Sequence, residues 1–263
     1  MPIYVPGKLT LRKEFVWNES IWNPSMVQPS LWLDAADTST VAQSGGSVSQ
    51  WNDKSGNGRN VTQSIEASKP TLLADGIGGH PSLEFDGVND QLANTAVGLP
   101  VGSSARSMFL VYRPLRLSVS NTVVAQGEGV GTGFWFALQF RQSPVGDPYF
   151  AGYARDLSSG DAITIENKMA GVTYDGTNAL LYKNGTLENG AALTLNTNGD
   201  TLRVGTSPNQ VEWANCLIGE IVMTSSALST LNRQKLEGYL AHKWGLTADL
   251  PAGHPYKLVG PTP

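Results

Sequence analysis

Over residues 133–140 the side chains alternate. Phe134, Phe136, Leu138 and Phe140 stand at one parity, and Trp135, Ala137 and Gln139 at the other. A period of two cannot lie on the 3.6-residue repeat of a helix, so this stretch predicts a strand with a core face and an outer face. Similar short runs recur from Ser30 onward between glycine-rich turns. Residues 107–113 are apolar enough for a buried strand. Residues 170–174 and 179–183 flank Asp175-Gly176-Thr177-Asn178, whose Asp-Gly pair signals a hairpin, and Asn184-Gly185 supplies a second tight turn.

Composition agrees with a turn-rich β protein. The chain of 263 residues has 29 glycines and 40% hydrophobic residues, enough for a core, while only 15% are charged. So low a charge also suits a surface packed in an assembly. The net charge of −4 offers no global attraction for nucleic acid, and no apolar run reaches the length of a membrane span. With Cys216 alone, an intrachain disulfide is impossible, and its apolar neighbours predict a buried thiol. One helix is predicted near the end. Ser229 caps it, Leu231, Leu236, Leu240 and Trp244 form its apolar side, and Gly245 stops it. Gly238 inside that helix predicts a close approach to a sheet, and Pro251, Pro255 and Pro261 predict an extended tail.

Residues 1–29 read differently. Lys8, Arg12 and Lys13 mix with Tyr4, Phe15 and Trp17, Trp22 follows, and Pro24 and Pro29 break any helix. Such a segment builds no core of its own and is expected to order by docking on a partner through Tyr4, Phe15, Trp17 and Trp22. The expected organisation is therefore an extended arm over 1–29 and one sandwich domain over 30–263. The first 30 residues also lack the basic–apolar–small order of a signal peptide, which predicts synthesis and use in a cytoplasm, or assembly there into something larger.

Several motifs carry a family resemblance. They are Leu31-Trp32-Leu33-Asp34-Ala35, Trp51-Asn52-Asp53-Lys54-Ser55-Gly56-Asn57-Gly58, Leu83-Glu84-Phe85-Asp86-Gly87-Val88-Asn89-Asp90, Gly219-Glu220-Ile221-Val222 and Gly238-Tyr239-Leu240-Ala241-His242-Lys243-Trp244-Gly245-Leu246. Together they resemble the laminin-G-like, concanavalin-A-like lectin domains of bacteriophage virion proteins and large bacterial surface proteins. The resemblance implies an all-β jelly-roll of two stacked sheets with one C-terminal helix. It also implies a role in display rather than chemistry.

The residues offer little for catalysis. Glycan hydrolases of concanavalin-A-like fold set carboxylates on one strand face in a Glu-x-Asp-x-Glu spacing. Here Glu84-Phe85-Asp86-Gly87-Val88 lacks the third acid, Phe85 is expected in the core, and Asp86-Gly87 begins a turn. His80, His242 and His254 have no partners at zinc-ligand spacing. Gly127, Gly129, Gly131 and Gly133 lack the Lys and Ser/Thr of a phosphate loop and read as a hairpin. The run from Asp53 to Gly58 resembles half of a calcium loop but has Ser64 at the closing position, so it reads first as a turn and second as a calcium site; Asp86, Asn89 and Asp90 form a weaker calcium alternative.

One binding face is predicted. Trp135, Gln139 and Arg141 fall opposite the core parity, and Tyr149 and Tyr153 follow on the next strand. Aromatic rings stack on sugar CH faces while polar neighbours bond hydroxyls, so these five residues are the expected glycan contacts. The whole reading is a non-enzymatic bacteriophage virion protein with no cofactor, displayed on the particle surface as capsid decoration, head fibre or tail appendage. Its arm would hold other virion proteins, its sandwich would meet host glycans, and by analogy it would form a homo-oligomer, a trimer in such appendages. A free bacterial carbohydrate-binding protein is the alternative, with a glycan hydrolase third.

Overall fold

A computed structural model describes residues 22–95, 97–117, 120–143 and 145–263. Tyr4, Phe15 and Trp17 of the expected arm lie outside the described residues. In chain order the first strands are β1 (Leu31–Asp34), β2 (Val41–Ser44), β3 (Ser47–Trp51), β4 (Val61–Thr62), β5 (Thr71–Leu73) and β6 (Ser82–Asp86). Next come β7 (Leu92–Asn94), β8 (Arg106–Pro114), β9 (Asn121–Gln126), β10 (Phe136–Gln142), β11 (Val145–Ala151) and β12 (Leu157–Ser158). The last are β13 (Lys168–Tyr174), β14 (Asn178–Lys183), β15 (Thr186–Ala192), β16 (Leu202–Val204) and β17 (Asn215–Thr224), followed by the helix α1 (Thr230–Trp244).

All pairings are antiparallel, and they form two layers. One layer runs β5–β6–β17–β8–β13–β14–β15, with β1 taking the place of β6 along the second half of β17. The other runs β2–β3–β4–β7–β16–β9–β10–β11–β12. A single Ser47–Thr71 bridge joins them at one margin. Between the layers lies the main core, where Leu83, Phe85, Leu110, Tyr112, Val172 and Ile221 meet Trp51, Val124, Phe136, Leu138, Phe140 and Phe150. The expected all-β sandwich with one late helix is thus the observed fold, and Phe85 and Cys216 are buried in it as expected.

The helix closes the outer face of the first layer. Ser229 caps it by accepting a hydrogen bond from the Asn232 N–H, and Gly245 ends it at φ 73°. Leu236, Leu240, Ala241 and Trp244 pack on Phe109, Val111, Met169 and Val222. Leu231, expected on the apolar side, is 58% exposed, because it stands five residues before Leu236 and so lies off the row that Leu236, Leu240 and Trp244 form at spacings of four. Gly219 is the place where β17 shifts register, so that Ile218 and Ile221 both face the core while Glu220 faces the helix. A Cβ there would sit 2.7 Å from the Trp244 ring, so the indole lies directly on the strand backbone. Gly238 has the opposite neighbour from the one expected. It admits the C-terminal tail, with Tyr256 at 2.4 Å from a built Cβ, and not the sheet.

Trp22 corrects the expected arm. It is 2% exposed and packs on the protein's own helix, its ring meeting Tyr239 edge-on at 6.1 Å. Asn23 then caps a short 3-10 turn at Pro24–Val27. Burying a large ring on the neighbouring helix removes it from any partner contact, so the domain begins by Trp22 and not at Ser30.

Beneath the helix sits a charged hub. Glu220, fully buried, accepts from Trp32 Nε1 (2.7 Å), Trp244 Nε1 (2.7 Å), Lys243 Nζ (2.7 Å) and the Tyr239 hydroxyl (3.2 Å). Lys243 also donates to Asp34 at 2.6 Å, and Asp34 pairs with Glu220 across β1 and β17. Burial pushes the Glu220 carboxyl above its ordinary range, against the pull of Lys243. Replacing Glu220 by Ala strands four donors, and we expect a loss of about 3–5 kcal/mol in urea unfolding. Asp90 gives a pH signature. Burial, with the charges of Asp86 and Glu84, raises it from 3.8 to about 6. The folded state then holds this proton more tightly than the unfolded chain, so stability falls as pH rises from about 4 to about 6. Asp90→Asn is expected to raise stability at pH 7 by about 1 kcal/mol, a gain that disappears at pH 4 in thermal melts.

Candidate functional site

The outer face of the second layer carries no helix, and the expected binding residues gather there. Ala125, Ala137 and Ala151 stand side by side in the register of β9, β10 and β11. Three methyl groups in a row leave a flat floor, and Trp135 and Tyr149 cluster with them. The Trp135 Nε1 donates to the Gly129 carbonyl at 2.8 Å, which fixes the indole. Phe134 belongs to this outer cluster and not to the core parity expected for it, because β10 begins only at Phe136 and the alternation does not extend back past it.

Tyr153 stands above this floor. Its backbone is left-handed at φ 55°, and Ala154 follows at φ 60°, conformations that non-glycine residues seldom adopt. The turn leaves the Tyr153 ring 37% exposed and edge-on to Trp135, with centroids 4.9 Å apart. Beside the rings, the Arg141 guanidinium lies 4.8 Å over Tyr149 and 3.6 Å from Glu212. Burial pushes the Tyr149 hydroxyl up to about 12, and the Asp156 carboxylate adds to the shift.

Gln139 acts from below. Its amide donates to Thr122 Oγ1 and to Glu212 Oε2, both at 2.7 Å, and Thr122 donates to the same Glu212 oxygen at 3.0 Å. The Gln139 Oε1 is buried and has no hydrogen-bond partner among the described residues. Trp135, Arg141, Tyr153, Asp156, Asn209 and Glu212 line a shallow depression of about 240 Å³. An exposed ring beside two carboxylates, a guanidinium and an amide can stack on an apolar ring face and bond several hydroxyls at once.

Of the five residues expected from sequence, all lie together, but their roles divide. Trp135, Gln139 and Tyr149 are buried supports, whereas Tyr153 and Arg141 reach solvent. Burial follows from the loop between β16 and β17, which lays Asn209 and Glu212 over the strands. Sequence reasoning missed Asp156, Asn209 and Glu212. Asp156 follows Tyr153 closely and was within reach of the argument, but Glu212 lies 73 residues from Gln139 with no local signal.

Elsewhere the sequence candidates serve the fold. Asp53 organises a turn: its carboxylate accepts from the N–H groups of Trp32, Ser55 and Arg59 and from the Ser55 hydroxyl. Asp86 likewise accepts from Val88 and Asn89, and Asp90 accepts from the Asp86 N–H. Among the described residues no group of three or more acidic, His or Cys side chains is placed to hold a metal ion. No helix among them is long and apolar enough to cross a membrane.

No protein-family model matches the chain, and no curated protein matches it. Solved structures do resemble it. A mutant GH54 α-L-arabinofuranosidase soaked with 4-nitrophenyl α-L-arabinofuranoside aligns at TM-score 0.64 and 14% identity, over 84% of this chain and 60% of that one. The chain thus spans about three-fifths of that enzyme's length. Domain 4 of AbnA, a GH43 extracellular arabinanase from Geobacillus stearothermophilus in complex with arabinotriose, aligns at 0.56 and 15%, over 80% of this chain and 98% of that one. The botulinum neurotoxin serotype D binding domain aligns at 0.55 and 13%, over 81% and 52%. At these identities the shared property is the β-sandwich fold.

Glu212 ties the overlying loop to the strands. Glu212→Ala removes the acceptor of Gln139 and Thr122, and a loss of about 1–3 kcal/mol is expected in denaturant unfolding.

Proposed function

We propose that this chain is a non-catalytic carbohydrate-binding sandwich that holds a saccharide in the depression beside Tyr153. The observation that carries this reading is the solvent-facing Tyr153 ring, propped on Trp135 and surrounded by Arg141, Asp156, Asn209 and Glu212. A shallow site of this size takes one or two sugar rings and binds weakly, as one exposed ring and a few hydroxyl contacts require. The likeness to an arabinanase domain in complex with arabinotriose, over nearly the whole of that domain, supports the same use of the fold.

Absence of catalysis is part of the proposal. Glu212 accepts from Gln139 and Thr122 and lies beside Arg141, so its oxygens are committed to holding the overlying loop. Glu84 and Asp86 lie on β6, and Asp86 is committed to its turn. Display on a bacteriophage particle, in contact with other virion proteins and in a symmetric oligomer, is proposed from the sequence resemblance alone. The anchoring part is then the sequence before Trp22, since Trp22 itself is packed in the domain.

Glycan-array screening followed by titration tests the binding. Tyr153→Ala should weaken a glycan hit by about tenfold with an unchanged melting temperature, since the ring supports nothing above it. Equal binding by that variant, or product release from the bound glycan, would refute the proposal. Removing residues 1–21 should leave glycan binding intact and abolish incorporation into particles.

A further inference from the structure

A larger cleft, of about 690 Å³, opens on the other layer, where the end of α1 meets β8, β13 and β14. Arg113, Lys168 and Lys183 line it together with Asp161, Glu166 and Asp249. The two lysines and Asp161 are committed. Lys183 pairs with Asp161, and Lys168 is bound to Asp147 and to the Thr164 carbonyl, both at 2.6 Å. Glu166 accepts from the Thr164 hydroxyl, and both it and Asp249 lie at the exposed rim.

Arg113 and Asn167, which also lines the cleft, are different. The Arg113 Nε and the Asn167 Oδ1 are buried without a hydrogen-bond partner, and no ion pair among the described residues reaches Arg113. A half-buried guanidinium without an acceptor costs free energy, so an unmet donor beside an unmet acceptor in one cleft marks a place for a ligand. The ladder that pairs Lys168 with Tyr112 and Met169 with Val111 brings Asn167 beside Arg113 at its next step.

We propose that this cleft binds a single carboxylate carried on a sugar, a uronic-acid unit, with Arg113 donating to both carboxylate oxygens and Asn167 accepting from a neighbouring hydroxyl. A flat guanidinium matches a carboxylate in this two-bond geometry. Arg113 supplies one unpaired positive charge, and the rim carboxylates of Glu166 and Asp249 oppose a second negative charge, so a monoanion fits better than a phosphate dianion. A peptide carboxylate fits less well. β8 and β13 are paired on both sides, so no strand edge is open for a peptide backbone to join. The site lies on the opposite layer from Tyr153 and stands independently of the saccharide depression there.

Calorimetric titration of the full chain with galacturonate, its methyl ester and an N-acetylated dipeptide tests this. Galacturonate should bind, and the neutral ester and the dipeptide should bind at least about tenfold more weakly, the value of a charge-assisted pair. Arg113→Gln should remove the difference between acid and ester, and Arg113→Lys should restore it in part. Asn167→Asp, at a partly exposed position, should pair with Arg113 internally and block the acid while the fold is kept. Tyr153→Ala should change none of these values. Equal affinity for acid and ester, tighter binding of the dipeptide, or an Arg113→Gln variant that melts normally and still prefers the acid would overturn the proposal.

Discussion

Glu220 holds a carboxylate in a place where no water reaches it, between a strand and the helix that covers it. Its four donors come from two distant parts of the chain: Trp32 on β1, and Tyr239, Lys243 and Trp244 on α1. Removing such a group from water costs several kcal/mol, and only near-complete donor coverage offsets it. The helix therefore cannot slide or rotate on the sheet without uncovering a buried charge. Packing of Leu236 and Leu240 brings α1 to the sheet, and the hub selects one register for it. Gly219 makes this possible, since its bulge turns Glu220 outward and its missing side chain admits the Trp244 ring.

The two layers consequently have different outer faces. The first is covered by α1 and its tail, which is itself tied down by Lys235, His242 and Lys257 hydrogen bonds. The second is covered only by loops, so it keeps its aromatic residues near solvent. A site on such a face needs rigid support because loops alone position rings poorly. The alanine row under Trp135 and the Gln139–Glu212 link provide it, one through close apolar contact and one through charge-assisted hydrogen bonds.

The two candidate sites differ in their electrostatics for a physical reason. Around Tyr153 the acids outnumber the single guanidinium of Arg141, which suits uncharged hydroxyls as donors to Asp156 and Glu212. In the cleft below α1 both lysines are paired and Arg113 is not, while Glu166 and Asp249 stay at the exposed rim. The unpaired cation on the cleft wall therefore suits an acceptor with one negative charge, because a second would meet the rim carboxylates.

Alternation and turn chemistry were legible in the residues alone. The period of two in residues 136–140, the Asp175-Gly176 hairpin and the Ser229 and Gly245 caps depend on local backbone geometry, which neighbours in sequence dictate. Tyr153 is placed by a left-handed turn beyond β11, whereas the outward placement of Gln139, Arg141 and Tyr149 on one face followed from the same local rule. What covers that face did not. Glu212 reaches Gln139 across 73 positions, Trp22 folds onto a helix more than 200 residues away, and Arg113 is left without an acceptor once Lys168 and Lys183 have found Asp147 and Asp161. Those outcomes belong to the tertiary structure, because burial and charge pairing are set by which distant segments meet, and strand periodicity carries no information about that.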